Sequence, residues 1–177
     1  MRTTPATLLS CMLLAIMTLT PSGNASGQEE GPRTMFSMDG SLSLDIPAHL
    51  DTMELHEDAV LQVGDYYSEI YVIVLNDWKA DLEGWNIGKD SYITLGNLLR
   101  SISAPIVQGP VMSVIDDLDA IQYVIEGAVD GKKIVYLHTT IETPDVFSQI
   151  VAWSLRSRYE ENRMEMEEIV RSFQSTE

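Results

Sequence analysis

Three aspartates lie close together in the middle of the chain, at Asp116, Asp117 and Asp119. Carboxylate oxygens are the ligands that hard divalent cations prefer, and calcium usually takes about six to eight oxygens from a loop that a glycine helps to turn. This stretch lacks that glycine and the alternating acidic pattern of a calcium loop. A solvated turn between two strands fits better. The alternative is a metal-binding protein or a metal-dependent hydrolase that uses these three aspartates.

The histidines give no catalytic signature. The chain has three, His49, His56 and His138, and none belongs to a His-Glu-x-x-His pair. The chain also lacks a Gly-x-Ser-x-Gly elbow, a phosphate loop and a dinucleotide fingerprint. His56-Glu57-Asp58 is a second group that could bind a hard cation, but it is interpreted as a polar loop. His138 is interpreted as a buried, hydrogen-bonded side chain in a covered layer. The sequence therefore indicates no catalytic residue and no cofactor.

Two tryptophans, Trp78 and Trp85, lie in the least regular segment, residues 76–89, which we expect to be a long loop or a broken helix. Aromatic side chains in a loop often anchor a protein partner or a small ligand. The alternative is that they fold back as a lid on the core. Trp78 and Trp85 are the candidate partner-binding residues.

The first 27 residues are typical of a secretory signal peptide. Met1-Arg2 is a short positive start, an apolar run extends from Leu8 to Leu19, and small residues follow up to Gly27. The run is shorter than the ~20 apolar residues that a spanning helix needs. It also continues past Cys11, which disfavours lipidation there. We expect a cleaved signal and a periplasmic or secreted product.

The rest of the chain is predicted to be one domain. Residues 28–33 form a disordered lead-in, and residues 34–174 form a single globular unit of a size that suits one core. Cleavage removes the only cysteine, so disulfides cannot hold the fold. We expect a monomer without stable membrane insertion.

The charge balance excludes some partners. The chain carries 27 acidic and 11 basic residues, a net −16, and loss of Arg2 with the signal gives 10 − 27 = −17. Nucleic-acid binding depends on neutralising phosphates with Lys and Arg, so it is disfavoured. Anionic membrane surfaces are disfavoured for the same reason. Basic proteins, small ligands and divalent cations remain as partners, and solubility alone is the simplest interpretation.

The middle of the chain predicts a buried strand followed by a helix. Residues 69–75 are apolar at almost every position, which is typical of a strand buried on both faces. Asp90 or Ser91 is the expected cap of a helix, and Ala104-Pro105 the expected stop. Its apolar face follows helical spacing through Leu95, Leu98, Leu99 and Ile102.

The third quarter predicts a β-hairpin. Residues 120–129 and 132–143 flank Asp130-Gly131, a strong signal for a two-residue turn. Such a turn pairs Val129 with Lys132, Ile125 with Tyr136, and Tyr123 with His138. Both faces of the pair are largely apolar, so both need cover. A strand over 147–155 and an amphipathic helix over 157–173 complete the chain.

Doubly covered strands with one helix in mid-chain and one at the end predict a fold of the α+β type, a three-layer α/β/α sandwich. Its sheet should be mostly antiparallel because the links between strands are short. Three features resemble the PsbP-like superfamily, which includes the oxygen-evolving-complex subunit of photosystem II, the Ran-binding Mog-type protein and many exported bacterial proteins. They are the strand from Leu42 to Pro47, the Asp130-Gly131 hairpin leading into 147–153, and the final segment 158–173.

This resemblance implies a non-enzymatic accessory or binding domain, and it transfers no catalytic residue. Together with the signal peptide it predicts an exported accessory or binding protein of PsbP-like fold.

Overall fold

The computed structural model describes residues 31–176, which fold into two antiparallel sheets and two helices; the predicted signal peptide, residues 1–27, and residues 28–30 lie outside this range. The strands are β1 Arg33–Phe36, β2 Leu42–Ile46, β3 Asp51–Thr52, β4 Leu61–Asp65, β5 Ile70–Trp78, β6 Ser103–Ile115, β7 Leu118–Val129, β8 Lys132–Glu142, β9 Val146–Leu155 and β10 Gln174–Ser175. The helices are α1 Ile87–Leu99 and α2 Tyr159–Arg171, and a single 3-10 turn occupies Lys79–Asp81.

The larger sheet has seven strands in the order β3-β4-β5-β9-β8-β7-β6, and the smaller has the order β1-β2-β10. Every pairing in both sheets is antiparallel, so the prediction of a mostly antiparallel sheet is confirmed. Short links allow this arrangement, since parallel neighbours would need a long crossover.

The central hairpin has the predicted register. Val129 pairs with Lys132, and further pairs follow outward to Tyr123 with His138. Asp130 and Gly131 have φ angles of 50° and 79°, the left-handed values that a type I′ turn requires at both positions. The turn sequence therefore sets which side chains of β7 and β8 share a face.

Each face of the larger sheet carries its own core, which confirms the α/β/α sandwich. On one face, α1 packs on β7, β8 and β9. Its core contains Tyr71, Ile73, Leu95, Leu98, Ile125, Tyr136 and Trp153. On the other face, α2 and the smaller sheet cover a second core, which includes Leu44, Val72, Leu137, Ile150, Met166 and Phe173. Neither helix within residues 31–176 is long and apolar enough to cross a membrane.

The prediction for the start of α1 was wrong. The helix begins at Ile87, and its cap is Asn86, whose side chain accepts a hydrogen bond from the Lys89 amide at 2.9 Å. Asp90 and Ser91 look like capping residues in the sequence, but both are fully buried inside the helix. Asn86 is an equally favourable cap, and it lies at the correct distance before the apolar face.

The prediction for the end of α1 was also wrong. The helix ends at Leu99, and Ser103 already begins β6, so Ala104-Pro105 lies in a strand. This long strand has no counterpart in the sequence interpretation. Its residues are exposed at every position up to Ile115, so they lack the alternating pattern that identifies a half-buried strand.

We expect Gly127→Ala to destabilise the protein by about 1–3 kcal/mol, because a Cβ would overpack the link from α1 to β6. An added Cβ would overlap Ile102 Cγ2 and would lie 3.1 Å from the Ser103 carbonyl oxygen. The matched control is Gly96→Ala, whose Cβ would meet nothing within 4 Å and should stabilise the helix by up to about 1 kcal/mol. Urea unfolding of both variants tests this, and equal effects would contradict the packing argument.

Candidate functional site

The segment 76–89 contains more regular structure than the sequence suggests. Asn76 to Trp78 complete β5, paired with β9, and the 3-10 turn and the start of α1 follow. The prediction of a long loop or broken helix was therefore wrong for both ends of the segment. Trp78 lies at the last position of β5, and half of its surface is exposed, 50%.

The residue after Trp78 is held firmly. The Lys79 amide donates to the Asp145 carbonyl at 2.9 Å. Its ammonium donates to the Glu142 carboxylate at 2.8 Å and lies 5.0 Å from the centre of the Phe147 ring. These contacts connect the end of β5 to β8 and β9. They present Trp78 on a fixed backbone, which reduces the entropy that binding would cost.

A second exposed apolar side chain is connected to this strand end through one hydrogen bond. Asn76 donates to the Asp39 carboxylate at 3.2 Å and accepts from the Ser148 hydroxyl at 2.9 Å, which fixes the β1–β2 turn against β5. Met38 precedes Asp39 and is 84% exposed. Met38 is one residue from Asp39, and Trp78 is two residues from Asn76. The Asn76–Asp39 hydrogen bond therefore joins the two backbone segments that carry these exposed side chains. We call this pair the Met38–Trp78 patch.

Trp85 has a different environment from Trp78. It precedes the Asn86 cap, it is half-buried, and the Lys89 ammonium lies 4.8 Å from the centre of its ring. A cation over an indole face is attracted by the ring's quadrupole. Trp85 thus has an intramolecular partner at the first turn of α1, so only part of its ring faces outward.

Beneath the same end of the sheet lies a pair of carboxyl groups that sequence reasoning missed. Asp77 of β5 faces Asp90 of α1. Asp90 has no exposed surface, and neither of its carboxyl oxygens has a hydrogen-bond donor among residues 31–176. Gln149 donates to Asp77 instead. A buried carboxylate without a donor is costly, so Asp90 is satisfied only as the protonated acid donating to Asp77.

Burial, together with the nearby Asp77 and Glu142 charges, raises the pKa of Asp90 to about 7, and burial is the largest cause. Burial also raises the pKa of Asp77, although the Gln149 hydrogen bond opposes this. The two carboxyl groups therefore share one proton at moderately acidic pH. Because Asp90 is enclosed, no substrate atom reaches it in this conformation.

His138 is 1% exposed, as the sequence predicts for a covered layer. The expected side-chain hydrogen bond is not seen at Nδ1, which has no partner among the described residues. Burial lowers the pKa of His138 to about 4. The imidazole is therefore neutral at physiological pH, and it packs in the layer beneath α1.

The three predicted metal ligands lie at an exposed turn. Asp116 and Asp117 connect β6 to β7 with φ angles of 52° and 60°, and Asp119 follows in β7. The Asp116 carboxylate accepts the Ser175 amide at 2.8 Å. Within residues 31–176, no group of three His, Cys, Asp or Glu side chains is arranged to hold a metal ion. Metal binding by this cluster stays a prediction from sequence.

The polar loop predicted at residues 56–58 has a turn of its own. The Asp58 amide donates to His56 Nδ1 at 3.1 Å, and the Ala59 amide donates to the His56 carbonyl at 3.3 Å. His56 therefore accepts hydrogen bonds from the backbone of its own turn, through both its ring and its carbonyl.

Comparisons with known proteins identify the fold. No family model matches the chain, and no curated protein sequence matches it. Solved structures do match: the cyanobacterial PsbP of Synechocystis sp. PCC 6803 superposes with a TM-score of 0.59 at 9% identity, covering 88% of this chain and 98% of that one. The Ran-binding protein Mog1p of Saccharomyces cerevisiae gives 0.56 at 9% identity, covering 83% and 96%. The chain has the PsbP/Mog-like fold.

A larger protein shares the PsbP/Mog-like fold. A Bacteroides thetaiotaomicron structure gives a TM-score of 0.56 at 11% identity over 83% of this chain, and the chain spans about half of that protein, 49%. The superpositions confirm the predicted resemblance in fold, and at identities this low they show the fold alone. The side chains at the Met38–Trp78 patch and the Asp77–Asp90 pair are described for this chain alone.

We expect Asp90→Asn to stabilise the protein at pH 8 and to have little effect at pH 4. Burial raises the Asp90 pKa from 3.8 to about 7, so the folded state keeps a proton that the unfolded chain has lost above about pH 4. The free energy of unfolding therefore falls between about pH 4 and pH 7, by up to about 4 kcal/mol for this group. The asparagine amide is neutral at every pH and still donates to Asp77.

Thermal unfolding at both pH values measures this effect, at about 2–4 °C for each kcal/mol. Asp119→Asn removes an exposed carboxylate and serves as the control. If Asp90→Asn shifts the melting temperature equally at pH 4 and pH 8, the inference that Asp90 keeps a proton in the folded state is wrong.

Proposed function

We propose that this chain is an exported, non-enzymatic accessory protein that binds a protein partner through the Met38–Trp78 patch. The observation that carries this proposal is the half-exposed indole of Trp78, presented at the end of a strand that Lys79 connects to β8 and to the turn before β9. Binding hot spots are rich in tryptophan, and a preorganised side chain binds at a lower entropic cost.

Met38 supports the same surface. Its thioether is exposed next to the turn that Asn76 holds. Methionine side chains adapt to irregular partner surfaces because they are unbranched and polarizable. An aromatic anchor with an adaptable neighbour favours a protein partner over a metal ion.

The charge around the patch favours a partner with a basic rim. Asp81 and Glu83 follow Trp78 and are both exposed. The nearby cations are engaged within the chain, since Lys79 pairs with Glu142 and Lys89 lies over Trp85. The surroundings of the patch are therefore negative, as is the whole chain at −16. Charges at an interface rim mainly raise the association rate and make it depend on salt.

The accessory role rests on the predicted signal peptide, the absence of a catalytic motif in the sequence and the PsbP/Mog-like fold. A fold alone does not determine a function. The proposal is therefore tested by changing the side chains of the Met38–Trp78 patch.

We expect Trp78→Ala to weaken partner binding by about 10-fold or more, the effect of losing a hot-spot side chain. The full chain, tagged at its C-terminus and expressed in its source cell, would be cross-linked and recovered from the envelope fraction. Binding of the recovered partner would then be titrated against wild type, Trp78→Ala and Met38→Ala.

The matched control is Tyr67→Ala, which removes an aromatic ring that is 84% exposed at the β4–β5 turn, the other end of β5. It should retain wild-type affinity. Full binding by Trp78→Ala, or an equal loss in Tyr67→Ala, would contradict the proposed surface.

A further inference from the structure

The strand β6 is exposed to an unusual extent for an element of regular structure. It occupies the edge of the seven-stranded sheet and pairs only with β7. Five of its apolar side chains are exposed. They are Ile106 at 61%, Val107 at 38%, Val111 at 59%, Met112 at 63% and Val114 at 64%. Large apolar side chains exposed together on one strand are typical of an interaction site.

The strand is also free of charge. No Asp, Glu, Lys or Arg lies between Arg100 and Asp116, although the chain as a whole carries −16. Edge strands are commonly protected by charged side chains, especially lysine, and this one has none. A second copy of this acidic chain would therefore meet no charged side chain of β6 itself.

The two ends of β6 carry opposite charges. Arg100 precedes the strand. Farther from the edge, Lys133 of β8 lies two strands inward from Ser103, which pairs with Ala128 of β7. Both cations are exposed, and neither forms a salt bridge with another residue of the described chain. At the opposite end, Asp116 and Asp117 are exposed in the β6–β7 turn.

An antiparallel arrangement of two such strands is complementary with itself. A two-fold axis near the middle of β6 places the basic end of one copy beside the acidic end of the other, and it brings the uncharged apolar side chains together. We propose that β6 is the interface of a homodimer, with a second copy of this chain as its occupant. Such an isologous contact is closed, so it forms a dimer and does not continue into a fibre.

The interface relies on side-chain packing more than on extension of the sheet. Pro105 and Pro110 have no amide hydrogen to donate, and register shifts interrupt β6 between Ser103 and Ile106 and between Gln108 and Val111. These features prevent a continuous ladder across the edge and so guard against uncontrolled sheet growth. The sequence predicts a monomer, and it predicts no strand over the residues of β6.

Sedimentation velocity of the full chain at about 100 µM tests the inference, because that concentration detects dimers of even moderate affinity. We expect twice the monomer mass for wild type and a single mass for Met112→Glu. The matched control is Met164→Glu, at an equally exposed methionine on α2, 67% against 63%, and it should remain dimeric. Arg100→Glu should weaken the dimer at low salt and less so at high salt.

A monomeric wild type would overturn the inference, and so would dimers that Met112→Glu leaves unchanged or that both methionine variants dissociate equally. Cross-linking from position 111 to a different protein, with no dimer, would also overturn it by identifying another occupant. The inference is independent of the proposed function, since Trp78→Ala should leave the dimer intact and Met112→Glu should leave Trp78 exposed.

Discussion

The rest of the structure depends on the pairing of β8 with β9, because these strands are buried on both faces. From Ile134 to Ile141 and from Val146 to Ser154 every residue is buried, so each strand requires a layer above and a layer below. α1 provides one layer, and α2 with the smaller sheet provides the other. The two surfaces proposed for binding lie where this cover ends, at the last residue of β5 and along the edge strand β6.

The covered part of the fold could be predicted from sequence, because burial leaves a strong pattern. Asp130-Gly131 determined the hairpin register, and the continuous apolar runs showed that both faces needed cover. The amphipathic spacing of Met166, Ile169 and Val170 located α2. The fold class followed from these elements, and the structural comparisons agree with it.

The uncovered part could not be predicted in the same way. β6 has no buried face, so it has no alternation to detect. Capping residues are ambiguous when several polar residues precede a helix, and buried Asp90 was mistaken for a cap. A signal for the carboxyl pair was present, since Asp77 continues the alternate positions of Ile73 and Leu75 on the face that α1 covers. Trp78 was identified from its residue type, whereas Met38 required the contact between Asn76 and Asp39.

Hydrogen exchange of the full chain at high dilution, followed by mass spectrometry, is the most direct test. It asks whether the strands covered on both faces form the stable centre of the fold while the exposed edge strand β6 is less protected. Amides of β8 and β9 should exchange only through global unfolding, whereas those of residues 111–115 that face away from β7 should exchange far faster. Equal protection of β6 and β9, or fast exchange within β8 and β9, would contradict this account of the molecule.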